Sequence, residues 1–190
     1  MNVQFKHIDQ TFVRDCFLEA LKGFPQLADH EIILQQRSVA ATNMRAQPVL
    51  DFRFFRRARR AYKIEISNHP NFAEYLTLED LPAEVLVGWF AHELGHVMDY
   101  LERSAWNMIK FALGYWFFFN FRVGAERKAD IYAIQQGFAR EVMATKKYIL
   151  EQSSLPNRYK ERIDRYYLSP DEVAIMVDQP DDDLTIDQAL

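Results

Sequence analysis

Between Pro82 and Arg103 the chain has no further proline, and the apolar run Val85-Leu86-Val87-Gly88-Trp89-Phe90-Ala91 leads directly into His92-Glu93-Leu94-Gly95-His96. Proline suits a first helical turn, so the segment predicts a helix over 82–103. Histidines at i and i+4 lie on one face, a turn apart. Two imidazoles so placed reach a single Zn²⁺ at about 2.0–2.1 Å. Glu93 projects beside that face, where a carboxylate can hold an attacking water and serve as its general base. A helix of this kind creates a need elsewhere in the chain, because a catalytic zinc takes a third protein ligand and keeps a fourth position open.

Three carboxylates compete for that place. Glu102, six residues after His96, needs a glycine to turn the chain back, and none lies between them. Asp99 lies about a turn too far along the same helix and reads as a polar contact of the helix. Glu126 is the better candidate. It stands in Glu126-Arg127-Lys128-Ala129-Asp130, where the two acids are four apart and share a face. One can ligate while the other accepts a hydrogen bond from a ligating histidine and fixes its tautomer.

The rest of the chain predicts an α+β layout with the sheet in the N-terminal half. Residues 9–24 space Phe12, Phe17, Leu18, Leu21 and Phe24 as a helix does, with Gly23 and Pro25 at its end. Residues 31–39 read as a strand. A second strand falls within 44–55, interrupted at Pro48. Ala61–Ser67 alternates Tyr62, Ile64 and Ile66 with Lys63 and Glu65, the clearest strand pattern in the chain, before 67–71 breaks it. Helices are expected over about 105–120, 124–152 (weakened at Gly137), 156–167 and from Ser169-Pro170 onward. With 190 residues, 49% hydrophobic and 26% charged, the chain suits one domain over 1–178 with an acidic tail over 179–190. A single cysteine, Cys16, excludes a disulfide framework and a cysteine zinc site. The opening residues carry no apolar run, which sets the expectation of a cytoplasmic protein, in peripheral contact with membrane at most. A net charge of −4 gives no global field toward nucleic acid.

HELGH followed by ERKAD resembles the gluzincins, zinc metallopeptidases with an HExxH…ExxxD signature. The 29 residues between His96 and Glu126 make the pattern closer to the heat-shock and CaaX-processing zinc protease families than to thermolysin. Those families follow with a segment of the form HPxxxxRI. Residues 155–163 are similar in Pro156, Arg162 and Ile163, but Leu155 stands in the histidine's place. The resemblance covers about 60–165. It implies a zincin-like fold and hydrolysis of peptide or protein substrates with one Zn²⁺ per chain. It further implies His92, His96 and Glu126 as ligands, Glu93 as base and Asp130 as the carboxylate behind a histidine. The alternative is a catalytically silent zincin scaffold that acts as a binding or membrane-associated module.

Peptide hydrolysis also needs a donor to the developing oxyanion. Arg162, Tyr166 and Tyr167 are the candidates, with Tyr132 and Tyr115 behind them. In zincins an edge strand above the active-site helix pairs with extended substrate; Ala61–Ser67 is either that strand or an interior one. Two further segments bear on partners. Residues 105–121, AWNMIKFALGYWFFFNF, are densely apolar and aromatic but short of the roughly 20 residues that span a bilayer. They read as a core helix, a flap or a membrane contact. Residues 53–60, RFFRRARR, hold five arginines in eight positions. They read as a solvated loop or, together with 105–121, as a membrane-surface contact. No motif for nucleic acid accompanies them.

Overall fold

The computed structural model describes residues 2–37, 43–67, 77–151 and 157–178. The chain runs β1 (Asn2–Lys6), α1 (Thr11–Lys22), β2 (Glu31–Arg37), β3 (Met44–Pro48) and β4 (Tyr62–Ser67). Among the described residues the α-helices that follow are α2 (Ala83–Glu102), α3 (Ala105–Phe117), α4 (Phe119–Ala133), α5 (Ala139–Glu151), α6 (Asn157–Tyr166) and α7 (Pro170–Asp178). The protein is therefore α+β, with a small N-terminal mixed sheet and a mostly helical remainder. The 67–71 break, the Leu155-Pro156 pair and the 179–190 tail fall, apart from Ser67, outside the described residues, as do 38 and 39 of the strand expected over 31–39.

The sheet has the order β1-β2-β4-β3. β1, β2 and β4 are parallel, and β3 pairs antiparallel to β4. β1 is an element that sequence reading missed. Only Val3 and Phe5 of NVQFK alternate with polar residues, too short a pattern to stand out, yet both pack against the core. α1 presents Val13, Cys16, Phe17, Ala20 and Leu21 on one buried stripe, the i, i+3, i+4, i+7 spacing of an amphipathic helix. Tyr62, Ile64 and Ile66 of β4 enter the same core with Ile32 and Leu34 of β2. β4 is thus an interior strand, with partners on both sides. The edge next to the helices belongs to β3, which packs on α2, because the reversal after Pro48 returns the chain antiparallel to it.

The helix expected over 124–152 is two helices. It starts earlier, at Phe119 inside the aromatic block, and breaks at Gly137, which holds φ at 92°, a conformation that costs glycine little and other residues much. α2 is enclosed by α1, α4, α5 and β3. This explains why Val85 through Val97 is buried almost throughout.

On the sheet's other face Glu65 is fully buried beneath three cations, Arg45 at 2.7 Å, Lys63 at 2.9 Å and Arg37 at 3.2 Å. Burial alone would raise its carboxyl pKa, but Lys63 and Arg45 outweigh burial and hold it below the ordinary value of 4.5. A folded-state pKa below the unfolded one stabilises at pH values above the unfolded pKa, and that stability is lost as pH falls through the folded pKa. Glu65→Gln should therefore cost about 1 kcal/mol at neutral pH, since its cationic partners reach solvent and are screened. The variant should also lose less stability on acidification than wild type does. Urea denaturation across the acid range measures both, and parallel pH profiles would refute the assignment.

Candidate metal centre

α2 carries His92 and His96 with ring centroids 4.8 Å apart. What brings a carboxylate to them is a close crossing of α2 and α4. A Cβ on Gly95 would lie 2.2 Å from the carbonyl oxygen of Ala129, so only glycine lets the two backbones meet there. Two turns earlier on the same face of α2, a Cβ on Gly88 would meet the Glu141 carbonyl of α5 at 2.2 Å. With α4 this close, Glu126 sits under both imidazoles. Its Oε2 is 3.1 Å from His92 Nε2 and 3.3 Å from His96 Nε2. The candidate ligand atoms of His92, His96 and Glu126 all lie within 4.8 Å of one another, and all three residues are buried.

The surrounding groups fix the orientation of this cluster. Asp130, one turn beyond Glu126, meets His92 Nδ1 at 2.8 Å. Its second oxygen accepts from Lys146 Nζ at 2.6 Å and from the Leu168 amide at 3.0 Å. Burial pushes the Asp130 carboxyl up, but Lys146 and His92 outweigh burial and hold it below its ordinary range. An acceptor at Nδ1 places the proton there and leaves the Nε2 lone pair aimed at Glu126. The Tyr115 hydroxyl, from α3, donates to Glu126 Oε1 and leaves Oε2 facing the histidines.

A lone pair and a carboxylate oxygen facing each other need a cation between them. A proton on His92 is one answer. Burial opposes that charge, while Asp130 and Glu126 favour it and raise the pKa to about 10. A divalent metal is another answer, and it engages all three groups at once. Two imidazoles and a carboxylate suit such an ion, and the carboxylate behind His92 is the usual support of a ligating imidazole. His96 Nδ1 and Glu93 Oε2 are buried without a hydrogen-bond partner among the described residues, which leaves polar capacity at the cluster. The residues fit a metal ion.

Glu93 is buried beside the cluster. Desolvation raises its pKa, opposed by the two histidines and by the backbone of Ala46. The outward carbonyl of Ala46, on β3, accepts from Tyr100 at 3.3 Å. A cavity of about 70 Å³ opens here, with His92, Glu93 and Asp130 in its wall, room for several waters. The rest of the lining mixes apolar Met44, Trp89, Val142, Ile149 and Ile163 with polar Asn43, Thr145, Lys146, Arg162 and Tyr167. The Tyr167 ring lies 5.2 Å from that of His92, with Lys146 over its face at 4.9 Å. Tyr166 is not at the cavity; it packs on Phe119 at 5.2 Å, because adjacent residues at a helix end point in different directions. Glu102 stays on the surface near Lys128, and Asp99 is a buried partner of Arg103 and Lys128. Lys146 had no signal in the sequence, being one of two adjacent lysines on a helix, and Tyr115 no sequence link to Glu126. Tertiary placement alone brings Lys146 to Asp130 and sets Tyr115, a reserve candidate for the oxyanion donor, against Glu126 instead.

No family model, no curated protein and no solved structure matches the chain. The fold and site by themselves define a class: an α+β protein with a buried His₂Glu cluster able to hold a metal ion.

Purified from metal-replete medium, the protein should carry about one divalent metal per chain, and Glu126→Ala should lose most of it by elemental analysis. Tyr115→Phe should keep the stoichiometry but release metal to a competing chelator at about 10–100-fold lower chelator concentration; unchanged retention would remove its positioning role. Gly95→Ala should destabilise the fold by about 1–3 kcal/mol or more through forced separation of α2 and α4, read from the denaturation midpoint. A stability equal to wild type would mean that the crossing is not tight.

Proposed function

We propose that the protein is a zinc-dependent peptidase of the gluzincin type, with a zincin-like arrangement of sheet and helices, acting on peptide or protein substrates. The observation that carries this reading is Glu93. It is a buried carboxylate with one oxygen unpartnered, in the wall of the same cavity as His92 and next to the His₂Glu cluster. Leaving such a group unsatisfied costs folding energy, which a purely structural metal site or a silent scaffold has no reason to bear. His92, His96 and Glu126 would hold the zinc, which, when bound, supplies an open coordination position, Lewis acidity toward a carbonyl and a lowered pKa for a water.

The chain's own residues supply the remaining steps. Glu93 takes the proton of the attacking water. Its raised pKa lets it keep that proton in the buried pocket and hand it to the leaving amine. Asp130 holds the His92 tautomer, and Lys146 keeps Asp130 charged. Arg162 and Tyr167, both in the cavity wall, are the groups proposed to donate to the developing oxyanion. The apolar part of the wall, Met44, Trp89 and Ile163, favours an apolar substrate side chain.

Glu93→Gln separates the roles. It should retain the metal and lose about 10²–10⁴-fold in turnover of quenched fluorescent peptide mixtures. Metal loss in this variant, or turnover equal to wild type, would reject Glu93 as the base.

A further inference from the structure

α3 has two apolar faces. Met108, Phe111 and Gly114 face inward, with Phe111 against Tyr100 and Phe121. Outward, Trp106, Ile109, Leu113, Trp116 and Phe117 are exposed, and Phe118 and Phe119 continue the surface into α4. Their spacing is that of one helical stripe. Trp116 is 77% exposed, far from a side chain tucked at a core's rim. Single exposed apolar residues are ordinary, but a run on one face marks a contact surface. Among the described residues no helix is long and apolar enough to cross a membrane, and α3 has 13 residues, so this helix could lie on a bilayer but not through it.

A second segment shares the chemistry. Leu50, Phe52 and Phe55 are exposed, Phe52 by 81%, beside the exposed Arg56, Arg57 and Arg59. It is pinned to the corner between α2 and α3: buried Arg60 donates to the carbonyls of Tyr100 at 3.2 Å and Arg103 at 3.1 Å, and Arg57 to that of Leu101. Of the five arginines in 53–60, Arg60 is thus an internal fixture, Arg53 is tied to Asp51 and Glu31, Arg57 is exposed but holds the Leu101 carbonyl, and Arg56 and Arg59 face outward. The stretch 103–125 contains no Asp or Glu but does contain Lys110 and Arg122. In a chain of net charge −4, both exposed apolar segments are locally cationic.

We infer that the outer face of α3, together with the 50–59 segment, docks on an anionic lipid surface. Aromatic rings interleaved with Arg and Lys suit the headgroup boundary, and exposed arginines draw phosphate headgroups. Aliphatic Ile109, Leu113 and Leu50 can enter the acyl boundary but offer nothing to stack on bases, which favours lipid over single-stranded nucleic acid. The inference is independent of the peptidase reading, because its test reads only binding.

The full chain is mixed with vesicles of phosphatidylcholine alone, or of equal parts phosphatidylcholine and phosphatidylglycerol, and sedimented. Wild type should pellet with the mixed vesicles only, with a blue shift of its tryptophan fluorescence. Trp106→Gln/Trp116→Gln should reduce partitioning at least about ten-fold, with far-ultraviolet circular dichroism unchanged. Arg56→Gln/Arg59→Gln should reduce it by about five-fold per arginine. Wild type remaining in the supernatant, or variants pelleting like wild type, would overturn the inference. So would a dimer that the tryptophan variant dissociates, or tighter binding to a single-stranded oligonucleotide than to anionic vesicles.

Discussion

The approach of α4 to α2 at Gly95 is the constraint on which the rest of the site depends. At that point the Ala129 carbonyl occupies the space of a side chain, so the helices are separated by backbone alone. Glu126 lies just before the contact and Asp130 just after it. One falls under the Nε2 atoms of both histidines and the other at Nδ1 of His92. A side chain at 95 would push α4 outward and move both carboxylates together. The spacing of the acids along α4 is thus matched to the spacing of the histidines along α2, with glycine as the condition for their meeting.

Burying so many charges is costly unless each is answered. Here the charges form a chain of pairs. Lys146 answers Asp130, Asp130 answers His92, and Tyr115 with both histidines answers Glu126. About a turn further along α2, Arg103 and Lys128 answer Asp99. Glu93 stands apart in this scheme. It has the histidines and the Ala46 backbone nearby but keeps one oxygen without a hydrogen-bond partner among the described residues.

α3 connects this centre to the surface. Its Tyr115 reaches Glu126 from one side of the helix, while Trp106 and Trp116 face outward from the other. The aromatic block is therefore core along one stripe and exposed along another, so the core-helix reading holds for one face only. No single-face reading fits 13 residues that are apolar nearly all round.

The α2 motif, the clear pattern of β4 and the amphipathic stripe of α1 were legible because each is local: period, spacing and capping are properties of neighbouring residues. So was the pairing of Glu126 with Asp130, which needs only helical periodicity. Local pattern alone located the helix that bears the histidines and the helix that carries the acids. Tertiary structure alone decided that β4 is interior and β3 the edge, that Lys146 lies behind Asp130 and Tyr115 behind Glu126, and that Tyr167 rather than Tyr166 lines the cavity. These are contacts between residues far apart in sequence or choices between adjacent side chains. They depend on the distance and rotation of whole helices, which packing fixes and no local pattern records.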